Sequence, residues 1–545
     1  MVAGRVDPRT PVIVGVGQHV QRTARAEDLA AARHPVGLMA EAARGAFADA
    51  GVAVPARVDA IHVVRMLSWQ YADPAASLAA ALGTEARVTG ITPHGGNMAQ
   101  RLVSHAALAI SRGELDVAVL AGGEASQSRH LARRAGATLP WPAALERADA
   151  REAAEGPARI FDDRPMSSDE EIARGIVLPI QVYPMFETAI RARTGRTPAA
   201  HDARVAALWA GFSAVAARNP WAWDRTAHGA AEILATAPGN RMVGLPYRRL
   251  MNSNDRVDMA AAVVVCSAAA AERMGVARDR WVFPVAGADV HEHWWVSHRW
   301  SYDELPAVRI GGARALELAG CGIDDVALLD LYSCFPSAVQ LGARALGLDA
   351  ELEAACAGTG VAGGTAGGAA GSAAGGAAGG AAGGTRELTL TGGLSFAGGP
   401  WNDYPMHAIA TAVMRLRERP GERALVWANG GFATKHSFGV YAGAPSPRGF
   451  AHDAPQDRVD ALPSRALASP AEATGLARGG AATIEAYTVM HARDGAPELA
   501  IAAVRLPDGR RAWGTSRDGA RCRAMCEGEW VGRAASLDAM GTLVD

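Results

Sequence analysis

The chain has 545 residues, a formal net charge of −2 and a charged fraction of 20%. This length exceeds one ordinary hydrophobic core and predicts about two to four domains. The near-neutral charge gives no field strong enough to attract nucleic acid or an anionic membrane surface, so we expect a small molecule or another protein as the partner.

Two features of the sequence bear on its location. The longest nearly unbroken apolar run, Met259–Ala271, is shorter than the roughly 20 residues that a membrane-spanning helix needs. The N-terminal stretch MVAGRVDPRTPVIVGVG lacks the basic region and long apolar segment of a secretory signal. We therefore expect a cytoplasmic protein without a membrane helix.

Short β-branched apolar runs alternate with longer segments of helical period, which is typical of an α/β fold with buried strands. The order of these runs occurs twice. The first half contains VIVGVGQ (12–18), VDAIHVV (58–64), HGGN with a helix (94–112) and DVAVLAGGEA (116–125). The second half contains VFPVAGAD (282–289), VALLDLYSCF (326–335), AGGP with a helix (397–416) and RALVWANGGFA (423–433). We predict two similar halves, residues 1–275 and 276–443, whose sheets pack around shared central helices.

The first central helix is predicted to begin at Asn97. Its apolar residues recur every four positions from Met98 to Ile110, and Gly113 supplies a C-terminal stop.

Four further segments interrupt or follow the halves. Residues 126–250, rich in Arg, Asp and Trp, are predicted to form a loop domain over a site. Residues 357–384 are almost entirely Ala and Gly, which predicts a disordered surface insertion. Residues 444–480 resemble a linker in composition. Residues 481–545 contain strand-like runs separated by RDG and PDG turns, which favours a small β-barrel of the oligonucleotide-binding (OB) type.

Nucleic-acid binding by this C-terminal region is disfavoured. From Gly480 onwards the sequence has 8 Arg, no Lys and 9 acidic residues. Such balanced charge argues against a groove that follows a phosphate backbone. Docking to the rest of the chain or to a partner protein is the preferred interpretation.

The sequence does not provide a complete set of metal ligands. The chain has six cysteines, too few for a disulfide scaffold. Cys522 and Cys526 could share a helical face, but no nearby pair of ligands completes a tetrahedral zinc site. His291, His293 and His298 allow a three-histidine site, although a Trp-rich loop with half-exposed imidazoles is favoured. We predict no metal and no resident cofactor.

Several segments resemble the thiolase superfamily, and they occur in its order: VIVGVGQ, NSNDRVDMAAAVVV (252–265), LLDLYSCFPSAVQLGARALGL (328–348) and GGLSFAGGP (392–400). The likeness covers about residues 10–440 and is strongest to thiolases associated with sterol carrier proteins. With the C-terminal region, the chain resembles thiolase-like proteins that carry an additional C-terminal domain, many of which are described as acetyl-CoA acetyltransferases. The resemblance implies the duplicated thiolase fold and a coenzyme A thioester as substrate or ligand.

The resemblance also places four catalytic loops. Thiolases have a nucleophilic Cys where this chain has Gly96 or Asn97, and a His where it has Tyr332. The His of their Gly-His-Pro loop corresponds to Gly399, and their second Cys corresponds to Ala428. A thiol needs a nearby base to become a nucleophile, so ordinary thiolase chemistry is not expected. Backbone N–H groups at the glycines could still polarise or hold a thioester.

Replacement chemistry has three catalytic candidates: Tyr332 as a hydrogen-bond donor, Cys334 as a shifted nucleophile and His407 as a base. The alternative interpretation of Cys334 is a buried structural thiol, and that of His407 is an ordinary helix histidine. The substrate-binding candidates are His94, Gly96, Asn97, Gly399, Asn402, Asn429 and Gly430.

Two hypotheses follow for the function. The first is a thiolase-like acyl-CoA acyltransferase, similar to acetyl-CoA acetyltransferases, in which ordinary thiolase activity is not expected. The alternative is a non-catalytic acyl-CoA or lipid-binding carrier that acts with a partner enzyme. Both a monomer and a homodimer are compatible with the sequence.

Overall fold

The structure is a computed structural model that describes residues 6–143, 157–358, 385–479 and 482–544. The predicted Ala/Gly insertion falls, from residue 359 to residue 384, outside the described residues. Within the described part of the chain, no helix is long and apolar enough to cross a membrane.

The first half forms a six-stranded sheet. Its strands are β1 (Pro11–Val20), β2 (Arg57–Val63), β3 (Glu85–Ile91), β4 (Val117–Ala125), β5 (Ala158–Arg159) and β8 (Asp258–Ser267), in the order β1–β8–β4–β2–β3–β5. The pairs β4–β2, β2–β3 and β3–β5 are parallel, whereas β8 runs antiparallel to both β1 and β4. Nearly every residue of β4 and β8 is buried, as the continuous apolar runs predict.

The second half repeats this arrangement. Its strands are β9 (Phe283–His291), β10 (Leu328–Leu331), β11 (Arg423–Gly430), β12 (Lys435–Ala442) and β13 (Ala451–Asp453), in the order β10–β11–β12–β9–β13. The β10–β11 pair is parallel, and β11–β12 and β12–β9 are antiparallel. These directions match those of β2–β4, β4–β8 and β8–β1. The duplication predicted from the sequence is confirmed.

Two helices lie between the sheets and form the centre of the molecule. They are α3 (Met98–Arg112) and α14 (Tyr404–Glu418), which contact each other and strands of both sheets. The apolar side chains of Met98, Leu102 and Ile110 are at most 1% exposed. The helix α3 ends at Gly113, whose φ of 77° is readily adopted by glycine. The predicted first central helix is therefore confirmed.

The remaining helices cover the outer faces or build the loop domain. In the first half they are α1 (Pro35–Asp49), α2 (Pro74–Leu82) and α9 (Ala268–Arg273). The loop domain contains α4 (Ser126–Ala135), α5 (Asp169–Ala173), α6 (Pro179–Arg193), α7 (Pro198–Arg218), α8 (Ala230–Leu234), β6 (Met242–Gly244) and β7 (Tyr247–Arg248). The second half adds α10 (Pro306–Ala319), α11 (Pro336–Ala345), α12 (Asp349–Cys356) and α13 (Gly393–Phe396).

The C-terminal region is rich in sheet, and the predicted barrel is not confirmed. Its elements are α15 (Gln456–Asp460), α16 (Pro470–Gly479), β14 (Ala482–His491), β15 (Pro497–Arg505), β16 (Arg511–Ser516), α17 (Gly519–Glu527) and β17 (Ala534–Ala535). The strand order is β16–β15–β14–β6–β7, with β17 beside β14, so two strands of the loop domain continue the sheet. Residues 444–480, expected to be a linker, contain β13, α15 and α16; the domain boundaries themselves stay a prediction.

The C-terminal sheet is fastened to the rest of the chain through buried contacts. Ile501 and Trp513 belong to the same hydrophobic core as both halves of the duplicated fold. Arg511 is fully buried, and its Nη1 donates to the carbonyl oxygens of Ser297 and Arg299 at 2.7 and 2.6 Å. Its Nε donates to Glu485 at 2.9 Å. The region is thus an integral part of the fold.

Replacing Arg511 tests this attachment. In Arg511→Met, Glu485 and two carbonyl groups lose their buried partner, and we expect the free energy of unfolding to fall by roughly 3–5 kcal/mol. Arg510→Met is the matched control, since Arg510 pairs with Glu472 and Asp508 near the surface, where ion pairs contribute little, and the replacement should cost much less. Urea unfolding measures both; equal losses would contradict the buried attachment.

Candidate functional site

The glycine-rich loop at the start of α3 is held by the second half of the chain. The Gly95 N–H donates to the side-chain oxygen of Asn402 at 2.9 Å, and Asn402 Nδ2 donates to the carbonyl oxygen of Arg65 at 2.8 Å. Asn97 is buried, with its Nδ2 3.5 Å from Ser437 Oγ. Its Oδ1 has no hydrogen-bond partner among the described residues. The loop therefore contains one unused buried acceptor.

Tyr332 occupies the space in front of Gly96. A Cβ atom on Gly96 would lie 2.2 Å from Tyr332 Oη and 2.4 Å from the carbonyl oxygen of Asn429. Tyr332 is buried and packs edge-on against Tyr404, with 5.6 Å between the ring centres. Burial raises its pKa, so the hydroxyl stays protonated and able to donate. A side chain at residue 96 is incompatible with this position of Tyr332.

The glycines of the second half approach the same loop. A Cβ atom on Gly430 would lie 2.5 Å from Asn97 Oδ1 and 3.1 Å from the Gly96 nitrogen. Asn429 is buried and donates from Nδ2 to Tyr183 Oη at 2.9 Å, while its Oδ1 has no partner among the described residues. Of the predicted residues, the structure brings together Gly96, Asn97, Tyr332, Asn402, Asn429 and Gly430.

Cys334 lies on the inner side of this cluster as a neutral thiol. It is buried and hydrogen-bonded to Tyr183, and burial raises its pKa to about 12. Tyr183 also receives a hydrogen bond from the Ala433 nitrogen at 2.8 Å and donates to the Gly431 carbonyl at 3.1 Å. A thiol with this pKa has almost no thiolate near pH 7, which favours the structural interpretation of Cys334.

The AGGP loop and the helix after it point elsewhere. Gly399 packs against Ser253, whose Oγ would lie 2.3 Å from a Cβ atom on this glycine. His407 is 4% exposed, and its Nδ1 lies 2.8 Å from Gln18 Oε1. Burial lowers the pKa of His407 to about 3. This imidazole is neutral and weakly basic, and it bonds to β1 rather than to the cluster around Gly96.

His94 is exposed. The residue directly beneath it is Lys435, which the sequence patterns did not single out. Lys435 Nζ donates to the His94 carbonyl oxygen and lies 5.7 Å from the centre of the Trp294 ring. Lys435 is 6% exposed, and burial lowers its pKa. Its Nζ would lie 3.0 Å from a Cβ atom on Gly95. The amine therefore fixes the backbone of the predicted ligand-binding loop.

Composition could have identified Lys435. It is the only lysine in a chain that has 54 Lys and Arg together. A primary amine is smaller than a guanidinium and can lose its proton, which a guanidinium in a protein does not. The slot between the His94 carbonyl, Gly95 and Trp294 accommodates the amine.

A second missed feature is a cleft of about 550 Å³ that leads from the surface towards Gly399. Its inner wall includes Ser253 and Asn254, on which Gly399 packs, and its outer wall includes arginines. A neighbouring cavity of about 600 Å³ shares two of these arginines. The arginines of the two cavities are Arg133, Arg134, Arg241, Arg249, Arg256 and Arg493.

These six arginines have no ion-pair partner among the described carboxylates. Arg241 and Arg249 instead donate to the backbone oxygens of Met242 and Gly239, which hold their side chains at the cleft. The cleft also contains two carboxylates, and Asp224 is already bonded to His228 Nε2 at 2.9 Å. The site therefore presents an excess of positive charge.

Metal ligands are not assembled within the described residues, where no group of three or more His, Cys, Asp or Glu could hold an ion. His291 bonds to the Glu292 carbonyl, and His293 lies 3.2 Å from the Leu462 carbonyl. Cys526 lies 3.8 Å from His491 Nε2. The three-histidine alternative is therefore not supported.

Comparisons with known proteins agree with this architecture. Residues 456–542 match the family described as the thiolase-like protein type 1 additional C-terminal domain. The sequence is 30% identical to that of a monomeric SCP2-thiolase-like protein type 1 from Mycobacterium smegmatis, whose crystal structure matches with a TM-score of 0.76. The match covers 99% of this chain and 100% of that chain. No protein with a curated description matches the sequence.

Two further solved structures share the fold. The Ltp2-ChsH2(DUF35) aldolase is 20% identical with a TM-score of 0.55, and the match covers 80% of this chain and 98% of that chain. An acetyl-CoA acetyltransferase from Syntrophomonas wolfei is 15% identical with a TM-score of 0.52, and the match covers 80% and 100% of the two chains.

The buried imidazole of His407 should make stability depend on pH. Because its pKa is lowered, the unfolded chain takes up a proton at a higher pH than the folded chain does. Between about pH 6.5 and pH 4.5 the free energy of unfolding of the wild type should therefore fall more steeply than that of His407→Gln, by up to about 1.4 kcal/mol per pH unit. Urea unfolding across this range measures the difference.

His228→Gln is the control for this experiment. Burial opposes protonation of His228, but hydrogen bonds to Asp224 and Glu232 raise its pKa above the ordinary value of 6.5, so its stabilising effect is lost only as the pH rises above that value. Removing it should therefore leave the slope between about pH 6.5 and pH 4.5 nearly unchanged. Parallel pH profiles for the wild type and His407→Gln would contradict a neutral, buried His407.

Amine labelling tests the burial of Lys435. An amine-reactive acylating reagent should modify Lys435 at least about tenfold more slowly in the native protein than after denaturation, because the side chain is exposed only by local opening. Denatured Lys435→Met should lack this label. Peptide mass spectrometry identifies the site; equally fast native labelling of Lys435 would refute its burial.

Proposed function

This chain belongs to the family of SCP2-thiolase-like proteins of type 1, and from that premise we propose that it binds coenzyme A thioesters without forming an acyl-cysteine intermediate. The observation that carries the proposal is the cleft whose arginines lack carboxylate partners and whose inner end adjoins the Gly399 loop. We place this role in the cytoplasm.

The outer part of the cleft suits the nucleotide end of coenzyme A. That end carries a diphosphate and a ribose 3′-phosphate, and guanidinium groups bind phosphates through paired, charge-assisted hydrogen bonds. Arg241, Arg249 and Arg256 provide such groups at the cleft. Because they form no ion pair with a described carboxylate, no internal salt bridge has to break when a phosphate binds.

The inner part suits the pantetheine arm, which carries amide groups on a narrow chain. Asn252, Ser253, Asn254 and Ser395 line this part of the cleft with hydrogen-bonding side chains. Gly399 lies against Ser253, and the Gly399 nitrogen donates to the Asn254 carbonyl at 2.8 Å. A pantetheine arm in this position would bring the thioester to the Gly399 loop.

Covalent acyl transfer is not part of the proposal. Residues 96, 97 and 428 carry no thiol, and the position of Tyr332 leaves no room for a side chain at residue 96. The one nearby thiol, Cys334, is neutral, and the imidazole of His407 is a weak base. These observations favour the carrier hypothesis, in which a partner enzyme uses the bound thioester, over the acetyltransferase hypothesis.

Calorimetric titration with acetyl-CoA tests the proposal. Charge reversal in Arg249→Glu should weaken binding at least about tenfold, which corresponds to about 1.4 kcal/mol. Arg448→Glu is the matched control, because Arg448 is also exposed and has no described ion-pair partner but lies away from the cleft. The absence of acetyl-CoA binding by the wild type, or equal effects of the two variants, would overturn the proposal.

A turnover assay tests the second part of the proposal. Purified protein should not cleave acetoacetyl-CoA with coenzyme A above the rate of the solution without protein. Thiolysis that disappears in Cys334→Ala would show that this thiol is a nucleophile and would refute the proposal of binding without an acyl-enzyme.

A further inference from the structure

The C-terminal region contributes one wall of the cavity of about 600 Å³ beside the cleft. This cavity is lined by His130, Arg133, Arg134, Arg256 and Arg493, all of which are basic. His130, Arg133 and Arg134 come from the end of α4, and Arg256 comes from the segment before β8. Arg493 comes from the turn between β14 and β15, in the C-terminal region.

The turn that carries Arg493 has a defined local structure. The Ala492 nitrogen donates to the Ala496 carbonyl at 2.8 Å, and Gly495 has a φ of 93°. Asp494 uses its Oδ1 to accept a hydrogen bond from the Ala496 nitrogen at 3.0 Å, so the acidic neighbour of Arg493 stabilises the turn. Arg493 itself has no ion-pair partner among the described carboxylates.

The positive groups around the cavity act on one another. Arg256 Nη1 donates to His130 Nε2 at 3.1 Å. Burial lowers the pKa of His130, and Arg256, Arg134 and Arg493 lower it further, whereas Asp255 acts in the opposite direction. Like charges that face one another repel, and an anion placed between them relieves this repulsion.

A helix dipole accounts for only part of the cluster. Arg133 and Arg134 occupy the last turn of α4, where cations are favourable in any helix. Arg256 and Arg493 belong to two other segments and do not lie in the last turn of a helix, so a helix dipole does not explain their position at the cavity. Their convergence brings guanidinium groups from three segments to one cavity, which is the arrangement that phosphate recognition requires.

We propose that the C-terminal region is a phosphate-binding part of the site, in which Arg493, with Arg256, Arg133 and Arg134, binds the ribose 3′-phosphate of a coenzyme A nucleotide. Arg256 and Arg493 line both cavities, so a phosphate in this cavity is next to the cleft that would receive the rest of the ligand. This inference rests on the proposed function for the identity of the ligand.

The test compares coenzyme A with dephospho-coenzyme A, which lacks the 3′-phosphate, by calorimetric titration of the full chain. The wild type should bind coenzyme A about tenfold more tightly or better. Arg493→Ala should reduce this preference at least about fivefold while changing the affinity for dephospho-coenzyme A by less than about twofold. Arg517→Ala, an exposed residue of the same region, should change neither affinity.

The outcomes separate this inference from the proposed function. If coenzyme A binds but Arg493→Ala leaves the preference for the 3′-phosphate unchanged, the inference is wrong and the proposed function stands. If adenosine 3′,5′-bisphosphate binds the wild type in an Arg493-dependent manner while acetyl-CoA does not bind, the phosphate site stands and the proposed function falls. If neither adenosine 3′,5′-bisphosphate nor acetyl-CoA binds the wild type, the inference and the proposed function are both wrong.

Discussion

The close approach of the two halves at the start of α3 sets the properties of the central site. Gly96 and Gly430 face Tyr332, Asn429 and Asn97 at distances that leave no room for a Cβ atom. Backbone therefore takes the place of side chains where the two halves meet. The same approach leaves the side-chain oxygens of Asn97 and Asn429 buried without described partners, which is uncommon in a folded protein.

The C-terminal region participates in this arrangement through the loop domain. Its sheet continues into β6 and β7, and Arg511 holds the backbone of the segment that contains Ser297 and Arg299. Arg299 in turn donates to Thr434 at 2.9 Å, in the turn between β11 and β12. A continuous set of buried hydrogen bonds thus connects the additional domain to the loops of the second half.

Sequence patterns predicted the features that depend on local order. The duplicated series of apolar runs predicted both sheets, and the period of four from Met98 to Ile110 predicted α3. The contact between Gly96 and Tyr332 could not be read from the sequence, because it depends on how two distant segments meet in space. The strands of the C-terminal region were predicted, but the pairing of β14 with β6 depends on docking to the loop domain. Arg256 and Arg493 likewise become neighbours only in the folded chain.

The composition of the basic residues determines how the arginine-lined cleft responds to its surroundings. The only lysine of the chain is buried beneath His94, so the cleft is positively charged through guanidinium groups, which keep their protons at every physiological pH. Changes in acidity would therefore leave the charge of its arginines constant. Dissolved salt, by contrast, screens exposed charges over about 8–10 Å, so ionic strength is the variable that would control how long an anion resides there.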